Sequence, residues 1–173
     1  MFNLKCKVMR TKQFFLVTGI LLSIIMSGCS SARGLTKEEK VAKEIEIREA
    51  IENRAYKIDV DRMIPMSGSS RTLTSLYSLE INDDKVKSHL PYFGRAYSVP
   101  YGGGEGLIFE STITDYKSSF DSKGKAVIEF KTRTKEDQYV FNVEIFTNGS
   151  TSINVKSNNR QAISFHGKAS PKK

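Results

Sequence analysis

The residues that could carry catalysis are few, since the 173-residue chain contains two histidines, His89 and His166, and two cysteines, Cys6 and Cys29. The histidines lack the H-x-x-x-H spacing of a zinc site, and no serine lies in a G-x-S-x-G turn. The sequence therefore predicts no catalytic set, no metal site and no cofactor. A hydrolase using His89 or His166 is the alternative, which would be favoured if one histidine shared a cavity with an acid and a hydroxyl.

Aromatic residues and glycines are concentrated between Pro91 and Gly106, where the alternation of the flanking sequence stops. Aromatic faces and a guanidinium can form a stacking surface for a sugar ring or a partner protein, supported by a cation–π contact of Arg95 with one ring. The candidate binding residues are Tyr92, Phe93, Arg95, Tyr97 and Tyr101, together with Arg160 from a later loop. A structural loop whose aromatic side chains fill one end of the fold is the other interpretation.

The first 29 residues have the features of a bacterial lipoprotein signal peptide. Four basic residues precede an apolar run at 14–26, which is shorter than the roughly 20 residues that span a bilayer core. The run ends in Met26-Ser27-Gly28-Cys29, which resembles a lipobox, where the cysteine is lipidated and becomes the mature N-terminus. We expect residues 1–28 to be a signal peptide, 29–35 a tether lipidated at Cys29, 36–168 one domain and 169–173 a basic tail.

The predicted cleavage changes the net charge of the protein and indicates its location in the cell. Loss of the four basic residues lowers the net charge from +8 to +4, and the remaining charge is dispersed. An exported chain of this kind rarely meets nucleic acid, so no nucleic-acid partner is expected. We expect a lipid-anchored protein of the bacterial cell envelope, in the outer membrane facing the periplasm because Ser30 follows Cys29. Its partners would be the membrane, through Cys29, and an envelope protein or glycan.

A helix is predicted at the start of the domain. Thr36 and Glu39 have the spacing of a capping box, in which two side chains satisfy free N–H groups of the first turn. Val41, Ile45 and Ile51 lie on one face at 100° per residue. This face should therefore pack on the core.

The rest of the domain alternates apolar and polar residues with the period of two that is typical of half-buried strands. The alternation is clearest at 56–60, 77–81, 126–130 and 139–145. Short connections, such as Asn148-Gly149 in a type I′ turn, make neighbouring strands antiparallel. The predicted fold class is α+β, with the N-terminal amphipathic helix packed on a curved antiparallel sheet of about seven strands. A small closed barrel with the helix outside it is the competing architecture.

One run of sequence is specific enough to indicate a family. Residues 90–104, LPYFGRAYSVPYGGG, resemble the signature of domain of unknown function 4251, a family of small lipoproteins from Bacteroidetes-type bacteria. Supporting stretches are Leu73–Ser78, Thr134–Asp137, Asn148–Ser150 and Asn159–Gln161, and the similarity covers roughly Glu38 to Gly167. The resemblance implies an envelope lipoprotein and carries no assigned activity.

Overall fold

The computed structural model describes residues 36–98 and 107–172. The elements in chain order are the helix α1 (Lys37–Glu52) and the strands β1 (Ala55–Pro65), β2 (Arg71–Asn82), β3 (Lys85–Leu90), β4 (Leu107–Phe120), β5 (Ala126–Arg133), β6 (Gln138–Ile145), β7 (Ser150–Ser157) and β8 (Ile163–Pro171). Each strand pairs antiparallel with the next strand along the chain. The first strand, β1, also pairs with β8, so the sheet closes into an eight-stranded barrel.

The predicted α+β fold with an open, curved sheet of about seven strands is therefore wrong. The described residues are mostly sheet, and the competing closed barrel is the architecture that forms. Alternation within a strand shows which side chains face inward, but it carries no information on whether the first and last strands meet. Closure removes the two free edges that an open sheet would expose. The barrel also takes in residues 169–171, which the sequence analysis assigned to the tail.

Apolar side chains occupy the inward-facing positions of the barrel. The strands β1, β2, β5 and β6 confirm the alternation predicted for them. An eight-stranded barrel is about wide enough for side chains to fill its interior, and Phe130 and Phe141 stack there with ring centroids 4.8 Å apart. The largest fully buried side chains are Tyr56, Tyr139, Phe130, Phe141, Phe165, Ile51, Ile58, Met63, Leu79, Ile81, Leu90 and Leu107.

One end of the barrel is covered by the last turns of α1. Ile47, Ala50 and Ile51 are buried there, next to the adjoining ends of β4, β5 and β6. Val41 and Ile45, predicted to face the core, are at least half exposed because they precede the turns that reach the barrel. We call this the helix end. Within the described residues, no helix is long and apolar enough to cross a membrane.

The connection between β6 and β7 differs from the predicted type I′ turn. That turn needs positive φ at both central residues, and only Gly149 has it, with φ of 84°. The Gly149 N–H donates to the Phe146 carbonyl at 2.8 Å, and the Phe146 N–H donates to the Ser150 carbonyl at 2.9 Å. The connection is therefore a longer turn that ends in a left-handed glycine.

Burial raises the pKa of the Tyr56 phenol well above its usual value of 10.0, and the nearby Tyr116 adds to the shift. The neutral phenol is favoured in the folded state, whereas the unfolded chain ionises near the usual value. This contribution to stability is thus complete below pH 10 and is lost as the pH rises toward the raised pKa. We expect Tyr56→Phe to lose less stability than the wild type between about pH 8 and about pH 11.

Urea unfolding at both pH values measures this difference. Tyr97→Phe, which changes an exposed tyrosine, is the control and should follow the wild type. Equal losses for Tyr56→Phe and the wild type would show that the buried phenol does not set the alkaline limit.

Candidate binding surface at the loop end

Four connections form the barrel end opposite α1, which we call the loop end. They are residues 66–70, 91–106, 134–137 and 158–162, of which 99–106 lie outside the described residues. Two neighbouring connections bring together five of the predicted binding residues: Tyr92, Phe93, Arg95, Tyr97 and Arg160. The sixth, Tyr101, and the predicted lipidation site, Cys29, lie outside the described residues.

Backbone hydrogen bonds join the β3–β4 connection to the β7–β8 connection. The Gln161 N–H donates to the Arg95 carbonyl at 3.0 Å, and the Tyr97 N–H donates to the Asn159 carbonyl at 2.7 Å. The Arg95 N–H also donates to the side-chain oxygen of Gln161 at 3.3 Å. The described part of the aromatic loop is therefore held in place by the neighbouring loop.

Tyr92 stabilises the contact between the β3–β4 and β7–β8 connections. Its hydroxyl is shared between the carbonyl oxygens of Arg95, at 2.9 Å, and Gln161, at 3.1 Å. The Arg160 guanidinium lies 5.4 Å from the centroid of its ring. Burial raises the pKa of the Tyr92 phenol, and a side chain at Gly94 would come within 2.7 Å of the hydroxyl oxygen. The Tyr92 side chain therefore links the two connections through hydrogen bonds.

Arg160 belongs to a buried cluster of charges. It is 7% exposed, and its Nη2 donates to Glu136 at 3.4 Å while its Nε lies 4.0 Å from Asp137. Asp137 is itself buried and accepts hydrogen bonds from the Ser157 hydroxyl and the Gln138 N–H. This cluster joins the β5–β6 connection to the β7–β8 connection. Arg160 therefore lies beneath the surface and does not present its guanidinium to solvent.

Phe93 and Tyr97 are the aromatic side chains that the described part of the loop exposes. Phe93 is 49% exposed and Tyr97 is 69% exposed. Arg95 is exposed as well, but none of the described aromatic rings lies under its guanidinium. The arginine that packs over Phe93 is Arg71, 5.0 Å from the ring centroid. Among the described rings, the cation–π contact at Phe93 thus comes from β2 and not from Arg95, while Tyr101 lies outside the described residues.

A groove next to these loops was not predicted. It has a volume of about 650 Å³ and lies between the start of β4 and the β5–β6 connection. The Phe109 and Tyr139 rings, which are among its lining residues, stack with centroids 4.9 Å apart. Burial raises the pKa of the Tyr139 phenol, and the charge of Arg160 opposes the rise. The groove forms because β4 is much longer than the neighbouring β5. It was not predicted because the ends of strands are among the features that a sequence predicts least well.

His89 has a structural partner on the neighbouring strand. Its Nδ1 lies 3.0 Å from the Leu76 carbonyl oxygen, and because a carbonyl only accepts, Nδ1 carries the proton. Its ring packs against Tyr77 with centroids 5.4 Å apart. Among the described residues, no acid or hydroxyl group forms a hydrogen bond with the His89 ring.

His166 lies on the outer wall of the barrel. A shallow cavity of about 340 Å³ contains it together with Asp61, Ser150 and Ser152. An acid and hydroxyls thus share a concavity with a histidine, as the hydrolase alternative requires. Within the described residues, however, no hydrogen bond links His166 to any of them, and an activated nucleophile needs such contacts.

The fold and the surface define a class of protein: a small up-and-down antiparallel β-barrel, with a helix over one end and, at the other, an aromatic connection whose described part is hydrogen-bonded to the β7–β8 connection. The chain belongs to the DUF4251 family, a domain of unknown function, whose sequence profile matches residues 38–169. The resemblance of residues 90–104 to this family is thereby confirmed.

A solved structure supports the same fold. The crystal structure of a DUF4251 family protein from Bacteroides eggerthii DSM 20697, at 1.95 Å resolution, superposes with a TM-score of 0.59 at 17% sequence identity. The match covers 76% of this chain and 91% of that chain. No curated protein matches the chain.

Proposed function

We propose that the protein is a lipid-anchored module of the cell envelope that binds another protein through its loop end. The observation that carries this proposal is the exposure of Phe93 and Tyr97 on a loop whose backbone is fixed by the β7–β8 connection. Aromatic side chains on a fixed backbone lose little conformational freedom on binding and supply large contact areas. Such residues are typical anchors of protein interfaces.

The five candidate residues that the structure describes then divide into two roles. Tyr92 and Arg160 hold the loops together through hydrogen bonds and the buried charge cluster. Phe93, Arg95 and Tyr97 present the surface to a partner. Phe93 and Tyr97 give this surface exposed apolar area of the kind that anchors protein interfaces, and we therefore propose a protein as the partner and not a glycan.

The hydrolase alternative has one observation in its favour, the cavity that His166 shares with Asp61 and Ser152. A triad would also need hydrogen bonds that orient the histidine and activate a serine. Ser152 is the cross-strand partner of His166, but within the described residues no hydrogen bond joins these two side chains or links His166 to Asp61. The binding module is therefore the function that the geometry supports best.

Truncation of the exposed aromatic side chains should abolish binding and leave the fold unchanged. We expect Phe93→Ala and Tyr97→Ala to melt close to the wild type, because each side chain is about half exposed or more. Each should lower the amount of envelope protein that co-purifies by at least about tenfold, which is typical of a central interface anchor. Phe146→Ala, at the helix end and 45% exposed, is the matched control and should retain the partner.

Quantitative proteomics after mild cross-linking, together with thermal melts, makes the comparison. Loss of a co-purifying glycan with no change in protein would identify the wrong partner class. Variants that melt far lower yet bind normally once folded would show that the loop is purely structural.

Membrane attachment is proposed to depend on Cys29, with the domain in the outer membrane facing the periplasm. The lipobox-like Met26-Ser27-Gly28-Cys29 supports this proposal, and several acyl chains on one cysteine give stable anchoring where one chain would not. We expect Cys29→Ala to appear in the soluble envelope fraction or as an unprocessed precursor. Processed Cys29→Ala that still pellets with membranes would contradict the proposal.

A further inference from the structure

Neither neighbouring strand pairs with β4 along its whole length. Its first half, Leu107–Thr112, pairs with β3. Its pairing with β5 begins at Ile113, opposite Thr132, and β5 ends at Arg133. Among the described residues, the first half of β4 therefore has no strand on the side where β5 would continue.

The backbone groups that face this open side can be identified from the alternation of the strand. The Ile113 N–H points to the β3 side, where it donates to the Asp84 carbonyl at 2.6 Å. The Thr112 carbonyl points the other way and accepts from the Thr132 hydroxyl at 2.9 Å. Since successive residues of a strand alternate, the N–H and C=O groups of Glu110 and Ile108 face the open side too.

These groups face the groove of about 650 Å³ described above. The chain leaves the sheet after β5, where the Thr134 N–H donates to the Asp137 carbonyl in a tight turn. The groove occupies the place where a further strand would lie, about 4.8 Å from β4. A free edge is normally covered or blocked in native proteins because it pairs readily with another strand.

The charge around the groove favours an acidic occupant. Arg133 and Lys135 line it and form no ion pair with any described residue. Glu136 lines it too, but its carboxylate is already paired with Arg160 at 3.4 Å. Glu110 is the remaining acid of the lining. Two unpaired cations therefore face one unpaired carboxylate.

We infer that the edge of β4 at Leu107–Thr112 binds an extended, acidic segment of another protein by β-strand addition. The inference rests on the proposed function, since it names the form of the partner that the loop end would bind. Main-chain hydrogen bonds from Ile108 and Glu110 supply affinity, and Arg133 and Lys135 select for acidic residues.

A proline substitution tests the edge with little disturbance of the barrel. Proline at Glu110 removes an N–H that faces the groove and leaves the ladder with β3 intact, which is the position where sheets tolerate proline. Glu110→Ala is the matched control, because it removes the side chain and keeps the N–H. The full chain, purified in detergent, is used to select binders from a display library of random peptides.

We expect the enriched peptides to be rich in acidic and β-branched residues. Their synthetic versions should slow hydrogen exchange at the amides of Ile108 and Glu110, bind Glu110→Pro at least about tenfold more weakly than the wild type, and bind Glu110→Ala almost as well. Arg133→Glu should also weaken binding. Three results would overturn the inference: no enrichment over detergent alone, equal binding to Glu110→Pro, or a Glu110→Pro protein that melts far below Glu110→Ala.

The inference and the proposed function can fail separately. Peptides that bind the edge, while Phe93→Ala and Tyr97→Ala keep their envelope partner, would support the edge and contradict the loop. An envelope partner lost in those two variants but retained by Glu110→Pro would support the loop and contradict the edge.

Discussion

Replacing Asp137 with alanine is expected to lower the free energy of unfolding by about 3–5 kcal/mol, because it removes one member of a buried charge pair. Asp137 lies 4.0 Å from the Nε of Arg160, and that nitrogen has no hydrogen-bond partner within the described residues. The change would leave Arg160 buried with Glu136 as its one acidic neighbour in the cluster. It would also remove the acceptor of the Ser157 hydroxyl.

A double variant tests whether the loss of stability in Asp137→Ala comes from the unpaired charge of Arg160 or from lost packing contacts. Replacing both members of a buried ion pair with apolar residues is often close to neutral. Asp137→Ala combined with Arg160→Met should therefore be more stable than Asp137→Ala alone, in urea unfolding at neutral pH. The free energy of unfolding lost in the double variant could instead equal the sum of the losses in Asp137→Ala and Arg160→Met. In that case the cluster does not act as a coupled charge pair.

The second large effect is expected at Gly167, where β8 meets a bulge in β1. Val60 pairs with Gly167 and Arg62 pairs with His166, so Asp61 has no partner in this ladder. The bulge moves the inward-facing positions from Val60 to Met63. A Cβ on Gly167 would overlap the Asp59 carbonyl oxygen and lie 2.9 Å from the Val60 Cα.

Gly167→Ala should therefore separate the strands that close the barrel. The obstacle is the β1 backbone, which cannot move aside as a flexible side chain could. We therefore expect the free energy of unfolding to fall by at least the about 1–3 kcal/mol that is typical of overpacked cores. Ser170→Ala, an exposed position on the same strand, is the control and should melt like the wild type. A Gly167→Ala protein with wild-type stability would mean that β1 and β8 are not as close as described.

The alternation of apolar and polar residues predicted the inward-facing side chains of single strands well. It did not predict that the sheet closes into a barrel. The alternation around Ile58, Leu79, Ile128 and Phe141 placed these side chains inside correctly, because strand periodicity is a property of neighbouring residues. The pairing of β1 with β8 includes the bulge at Asp61. The single glycine at this contact, Gly167, is not enough to predict that pairing from the sequence. The helix was predicted correctly, but its buried face shifted because only its last turns meet the barrel.

The candidate binding surface, like the closure of the sheet, could be predicted from the sequence only in part. Composition located the aromatic loop, and Arg160 lies on the connection hydrogen-bonded to it, but the sequence could not distinguish supporting from exposed residues. Whether Tyr92 hydrogen-bonds beneath the loop or faces solvent depends on Gln161, which lies 69 positions away in sequence. The open edge of β4 depends on where β5 stops, which is a property of two strands together.

The most direct measurement of binding by the loop end is site-specific photo-crosslinking in intact cells that produce the protein. A photoreactive phenylalanine analogue replaces Tyr97 in one strain and Phe146, at the helix end, in another. We predict a discrete adduct with one envelope protein from position 97 and none from position 146. Adducts of the same pattern at both positions, or no protein adduct from position 97, would contradict a binding surface at the loop end.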